Sequence, residues 1–221
     1  MKQKIIYIGL LWLVIATNVS AQERYVRPVD EGKTDKSFNM FRAKLIEAVK
    51  KHDKKYLLSV LEPNIKNSFG GYGGIKEFKM MWEIDNSKSK LWNELRVVLS
   101  NGGAFLDKKT FAAPYSFKSF PDDLDAFEHQ VIFGSNIKLR AKPNLSAKVI
   151  SNLSYNIVKV DFEKSVSNGK QEPTYSWLKV ETFGGKKGFV SAEYVRSPID
   201  YRAIFVRENG KWKLSAFVEG D

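Results

Sequence analysis

Asn136-Ile137-Lys138-Leu139-Arg140-Ala141-Lys142-Pro143 opens the stretch from Asn136 to Pro198 on which the reading of this chain turns, and Gly188-Phe189-Val190-Ser191 stands near its end. Between them lie three further runs of strand chemistry, Ala147 to Leu153, Asn156 to Phe162 and Trp177 to Thr182, parted by Asn, Ser, Gly and Pro clusters. Five short strands in about sixty residues predict a small barrel or sandwich rather than a helical domain. Ile137 and Leu139 alternate with Lys138 and Arg140, so the first strand has one buried face and one wet, basic face. Pro143 ends it for want of an amide donor. Val149, Leu153, Ile157, Val158 and Val160 supply the opposite wall. Ser165 to Thr174, with Asn168-Gly169 and Pro173, is a polar loop of the kind that rims a binding site. Gly184-Gly185-Lys186-Lys187-Gly188 predicts a hairpin turn.

Upstream the period changes. Phe38, Phe41, Leu45, Ala48 and Val49 recur at three- and four-residue steps opposite a lysine-rich face, which predicts an amphipathic helix ending near His52. Tyr56, Leu57, Val60 and Leu61 mark a shorter helix stopped by Pro63. Lys50, Lys51, Lys54 and Lys55 crowd the corner between the two and either complement a helix C-terminus or form part of an anion-binding surface. Asn64 to Phe69 has strand chemistry. Gly70-Gly71-Tyr72-Gly73-Gly74 lacks the spacing of a phosphate loop and is read as a tight turn before a helix carrying Ile75, Phe78, Met81 and Trp82. Leu91, Leu95, Val98 and Leu99 mark another helix, closed by Asn101-Gly102-Gly103. Phe105 to Phe120, interrupted by Pro114, suits edge strands or an ordered loop.

Near the end, Tyr201 to Arg207 and Lys211 to Val218 alternate on either side of Asn209-Gly210, the strongest short hairpin signal. A lone hairpin is marginal in water, so this one must pack on something. It is expected to return to the N-terminal helices and complete their sheet, leaving the barrel as an insertion.

The 221 residues include no cysteine, which excludes disulfides, a thiol nucleophile, a zinc-thiolate site and an N-terminal lipidated cysteine. Lys2 and Lys4 precede the apolar run Ile5 to Ala16, too short to span a bilayer comfortably, and Val19-Ser20-Ala21 has the small residues of a processing site. An export signal over 1–21 is the expectation, with a retained anchor as its rival. The mature chain is then periplasmic or secreted, with no stable membrane anchor. Residues 22–36 are polar and without period, and predict a flexible leader. The whole chain carries 36 Lys and Arg against 25 Asp and Glu, and loss of Lys2 and Lys4 leaves a net +9. Such an excess suits either contact with envelope polyanions, since an exported protein rarely meets nucleic acid, or simply a soluble basic surface that names no ligand.

Asn136 to Arg140 with Pro143, then Trp177-Leu178-Lys179-Val180, Gly188-Phe189-Val190 and Tyr194-Val195, resemble in their order the bacterial SH3 domain. The resemblance covers under a third of the chain. It implies a binding module, in some members a reader of peptidoglycan or another envelope ligand. Trp177 and Tyr194 suit either packing or ligand contact. Arg140, Lys186 and Lys187 are expected at the surface as contacts for anions. The flanking helices, glycine turn and terminal hairpin resemble nuclear-transport-factor-2-like α+β cones. That likeness implies a concave sheet whose pocket would be lined by Trp82, Phe205 and Trp212, residues that serve equally as core.

The expected fold class is therefore α+β: a signal peptide, a helical N-terminal region over 37–130 with a small sheet completed by 199–221, and an all-β SH3-like barrel over 131–198. The expected function is non-catalytic binding of a cell-envelope polymer or envelope protein, with no cofactor and no metal. Asp122, Asp123, Asp125 and Glu128 beside His129 lack the spacing of a calcium loop, and His52 and His129 are the only histidines. No Gly-x-Ser-x-Gly elbow occurs. An envelope glycan hydrolase with an unidentified carboxylate pair is the alternative.

Overall fold

The computed structural model describes residues 22–71, 73–169 and 174–220. The export signal expected over 1–21 lies outside the described residues, as do Tyr72 of the glycine turn and residues 170–173 of the polar loop.

Helix α1 (Lys36–Lys50) starts where the Asp35 side chain accepts from the Phe38 N–H, which satisfies one of the donors a helix start leaves open. Its buried side, Phe38, Arg42, Leu45, Ala48 and Val49, follows the three-and-four spacing. Helix α2 (Lys54–Ser59) is capped the same way by Asp53. Strand β1 (Leu61–Lys66), helix α3 (Ile75–Met81), helix α4 (Leu91–Ser100), strands β2 (Ala104–Asp107) and β3 (Thr110–Ala113) and helix α5 (Tyr115–Ser119) follow. The chain then enters β4 (His129–Ile132), β5 (Ile137–Arg140), β6 (Val149–Leu153), β7 (Ile157–Ser167), β8 (Tyr175–Thr182), β9 (Lys187–Ser191) and β10 (Val195–Arg196), before closing with β11 (Arg202–Glu208) and β12 (Lys211–Val218).

These strands form two sheets. The first runs β1-β12-β11-β3-β2, so the C-terminal hairpin occupies its middle, between strands that come far earlier in the chain. Asn209 and Gly210 both take positive φ, 47° and 76°, the backbone of a two-residue turn whose twist matches its strands. One face of this sheet is covered by the helices. Phe38 packs there against Phe111, Phe205 and Trp212 at ring separations of 4.2, 5.5 and 4.9 Å. Trp82 lies against Tyr201 and Phe217 at 4.8 and 5.2 Å.

The expectation that Trp82, Phe205 and Trp212 line a pocket is corrected here. They are 7, 0 and 5% exposed, within one continuous core. The rings of Phe205 and Trp212 close on Phe38 and that of Trp82 on Tyr201 and Phe217, and the polar edge of Trp212 is satisfied by donation from Nε1 to Ser37 Oγ at 3.0 Å.

The second sheet runs β10-β4-β7-β8-β9-β5-β6, all neighbours antiparallel, and curls around Ile132, Leu139, Leu153, Val158, Val160, Leu178, Val180 and Val190. The chain enters it through β4 and leaves through β10, and these two strands pair side by side, Ile132 opposite Val195 and Val131 opposite Arg196.

Residues 22–36, expected as a flexible leader, form a strap. The Arg24 carbonyl accepts from Ile157 N–H at 2.8 Å, and Val26 N–H donates to the Tyr155 carbonyl at 2.9 Å. Val26 is buried with Tyr115, Val131 and Ile157. Farther along, Val29 and Glu31 exchange backbone hydrogen bonds with Gly103, both at 2.9 Å, and Asp30 pairs with Arg42 of α1. The Glu23 carboxylate accepts from Thr182 Oγ1 at 2.7 Å and from Asn156 Nδ2 at 3.2 Å. Polar composition misled because this segment is fixed by backbone groups and charged partners rather than by an apolar face of its own.

Candidate functional site

Three of the five side chains singled out from the sequence meet on one side of the barrel. Arg140 at the end of β5, Trp177 in β8 and Tyr194 in the 3-10 turn before β10 line a groove of about 230 Å³, together with Lys138, Leu145 and Glu193. Strand pairing brings them there. Trp177 stands opposite Ser191 across the β8–β9 ladder, and Arg140 opposite Phe189 across β5–β9.

Each wall has its own support. Arg140 is half-buried and donates from Nη1 to the Ala147 carbonyl at 2.9 Å, while Ala141 N–H reaches the Lys148 carbonyl at 2.9 Å. Both bonds hold the β5–β6 turn in place, so Arg140 shapes the groove as well as lending it charge. The expectation of a simply exposed Arg140 is corrected accordingly. Leu145, at the tip of that turn, is 77% exposed, and Tyr194 at the facing wall is 39% exposed. Glu193 accepts from Ser191 Oγ at 3.1 Å, and Lys138 Nζ reaches Asn152 Oδ1 at 2.9 Å. A half-buried indole, an exposed phenol, two cations and one carboxylate make a surface that can stack on a sugar ring or a peptide side chain and fix it by hydrogen bonds.

Lys186 and Lys187 lie outside this groove. Lys187 pairs with Glu181 at 3.0 Å, and Lys186 donates to Ser151 Oγ at 3.2 Å. Lys187 borders a second hollow of about 640 Å³ over β7 and β8, beside Phe127, Phe162 and Lys179. The cations there are largely matched. Lys159 pairs with Glu128 at 2.7 Å and Lys164 with Asp161 at 2.6 Å. The hydrogen bond to Glu128 raises the Lys159 pKa, and the hydrogen bond from Lys164 lowers that of Asp161. Such exposed pairs are screened by salt and contribute little individually.

The acidic run before the barrel is likewise distributed among partners. Arg24 grips Asp123 through two 2.7 Å hydrogen bonds, Asp125 accepts from the Phe127 N–H at 2.7 Å, and Glu128 is held by Lys159. Among the described residues no three His, Asp or Glu side chains group as metal ligands. His52 stacks on Trp92 at 4.9 Å and His129 on Phe183 at 5.6 Å. The glycine stretch hugs β1: Gly74 takes φ 103° and donates to the Ile65 carbonyl at 2.8 Å, and a Cβ on Gly73 would stand 2.8 Å from that same oxygen.

Leu145 and Glu193 were missed from the sequence. Leu145 had a signal, as a lone aliphatic residue in the polar turn Pro143-Asn144-Leu145-Ser146, where burial cannot explain it. Glu193 had none, since its place depends on how β9 leads into β10.

No curated protein matches the chain. Residues 135–196, the groove-bearing part of the curled sheet, match the family model of the bacterial SH3 domain, a binding module that often holds cell-wall material.

Proposed function

We propose that this is an exported, non-catalytic binding protein whose barrel recognises a cell-envelope component, peptidoglycan or another anionic polymer, or a protein partner in the envelope. The observation that carries the reading is the meeting of Trp177, Tyr194 and Arg140 around one groove in a bacterial SH3 domain. Flat rings offer area at small entropic cost, and the guanidinium offers directional donors, a combination suited to a glycan or a peptide stem. Export is supported by the basic start, the apolar run Ile5 to Ala16 and Val19-Ser20-Ala21. The likeness of the flanking unit to nuclear-transport-factor-2-like cones is supported by helices on one face of a mixed sheet with the terminal hairpin at its centre.

The test is co-sedimentation of residues 22–221 with purified sacculi. Retention at low salt is expected, and Trp177→Ala should weaken it about tenfold, the loss of one aromatic contact worth ~1.4 kcal/mol. No retention at low salt, or equal retention of the variant, would remove the reading. Soluble sugar fragments released during incubation would point instead to the hydrolase.

A further inference from the structure

The sheet face turned away from the helices carries a second site. Along β11 the side chains alternate: Ala203 and Phe205 enter the aromatic core, while Arg202 and Ile204 line a groove on the other side. Ile204, Ala216 and Val218 floor this groove, which measures about 760 Å³, and Phe69, Leu106 and Phe117 wall it from three different segments. Phe69 and Leu106 remain 59 and 40% exposed, so a chain laid between them would take apolar surface out of water.

The walls are held before any ligand arrives. Asn67, buried at the base of the loop bearing Phe69, donates from Nδ2 to the Gly74 carbonyl and to Glu77 Oε2, both at 3.1 Å. The Arg202 guanidinium lies between the rings of Phe69 and Phe117, 4.9 and 4.8 Å from their centroids. Among the described residues the only ionised side chains lining the groove are Lys66 and Arg202, with no carboxylate among them. Lys66 is exposed, and no salt bridge joins it to another of the described residues. Apolar floor, aromatic walls and the exposed Lys66 at the border complement a ligand with an aliphatic body and a negative head.

We propose that this groove binds a free single-chain carboxylate amphiphile of the fatty-acid type, its chain over Ile204, Ala216 and Val218 and its carboxylate at Lys66. The site lies on the five-stranded sheet and is independent of the barrel groove, so failure of one leaves the other standing.

Titration calorimetry of the purified protein with three ten-carbon amphiphiles below their micelle concentrations tests it: decanoate, decyl maltoside and decyltrimethylammonium. Decanoate should bind one to one, the maltoside more weakly, and the ammonium least. Lys66→Glu should weaken decanoate about tenfold while leaving the maltoside unchanged. Ile204→Trp, which fills the floor, should abolish binding at unchanged melting temperature; Ser215→Phe fills the same groove from β12 should the first variant fail to fold. Equal affinity for all three head groups, or decanoate binding that survives a folded groove-filling variant, overturns the proposal. So does binding to phosphatidylglycerol vesicles without uptake of decanoate, which assigns the face to a membrane surface. A concentration-dependent dimer that is dispersed by groove filling, again without decanoate uptake, assigns it to a second copy and equally overturns the proposal.

Discussion

Gly103 is a position where one atom decides whether two segments can meet. With φ at 151°, a Cβ there would stand 2.2 Å from the Ala112 carbonyl oxygen and 2.7 Å from the Phe111 ring. The same residue gives its N–H to Val29 and takes the N–H of Glu31. Gly103→Ala is therefore expected to destabilise by about 3 kcal/mol, as backbone strain and overpacking combine, seen as a lowered urea midpoint. Asp30 sets a different dependence. Burial works to raise its pKa, but the hydrogen bonds from Arg42, at 2.5 and 2.9 Å, outweigh that and hold the carboxyl below its ordinary range. A carboxyl depressed on folding contributes stability above its unfolded pKa of ~4, and that contribution disappears as pH falls through the folded value. Arg42 is only 5% exposed, so Asp30→Asn leaves a buried cation uncompensated. A loss of ~3 kcal/mol at pH 7 is expected, together with a shallower fall in stability than in the parent as pH drops below the unfolded value of ~4, measured by denaturant unfolding in the acid range.

Among the elements, the strap has the largest untested consequence. Residues 22–26 bury Val26 against Tyr115, Val131 and Ile157 and carry Glu23 to Thr182 and Asn156. Their deletion should lower the melting temperature by about 6–10 °C, since a chain of this size shifts ~2–4 °C per kcal/mol. A melt unchanged by the deletion would show the strap to be passive. This is also the element that the letters conceal most completely. Phe38, Leu45 and Val49 announce one face of α1 by their spacing, and Asn209-Gly210 announces its turn. The strap has no period to read, because its partners lie up to 159 residues away in the case of Glu23 and Thr182. The barrel groove was legible in part. Trp177 and Tyr194 stand out as aromatics in a strand and turn, but Lys187 is drawn to Glu181 by the β8–β9 register, which composition does not encode. Trp82, Phe205 and Trp212 were ambiguous by type, and only the closure of the rings on Phe38, Tyr201 and Phe217 decides them as core.

Over the whole molecule, charge and aromatic contact make separable contributions to the binding proposed for the barrel. The positive excess acts through a field screened over about 8 Å at physiological salt, whereas stacking on Trp177 does not depend on ionic strength. Sacculus retention should therefore fall between 50 and 300 mM NaCl, about tenfold if a few counterions are displaced, and then level off in the parent but not in Trp177→Ala. Arg196, leaving the barrel, reaches Glu94 of α4 at 3.5 Å and the Tyr201 carbonyl at 3.2 Å, and Ser197 Oγ reaches the Ala126 carbonyl at 3.4 Å. These contacts and the strap join the two sheets at several places. Entry through β4 and exit through β10 lie in register on neighbouring strands, a spacing of ~4.8 Å. A doorway that narrow makes the barrel an insertion with neighbouring joints: the host sheet has to close only a gap of a residue or two if the module is cut out, provided the strap that buries Val26 against Val131 and Ile157 is cut back with it.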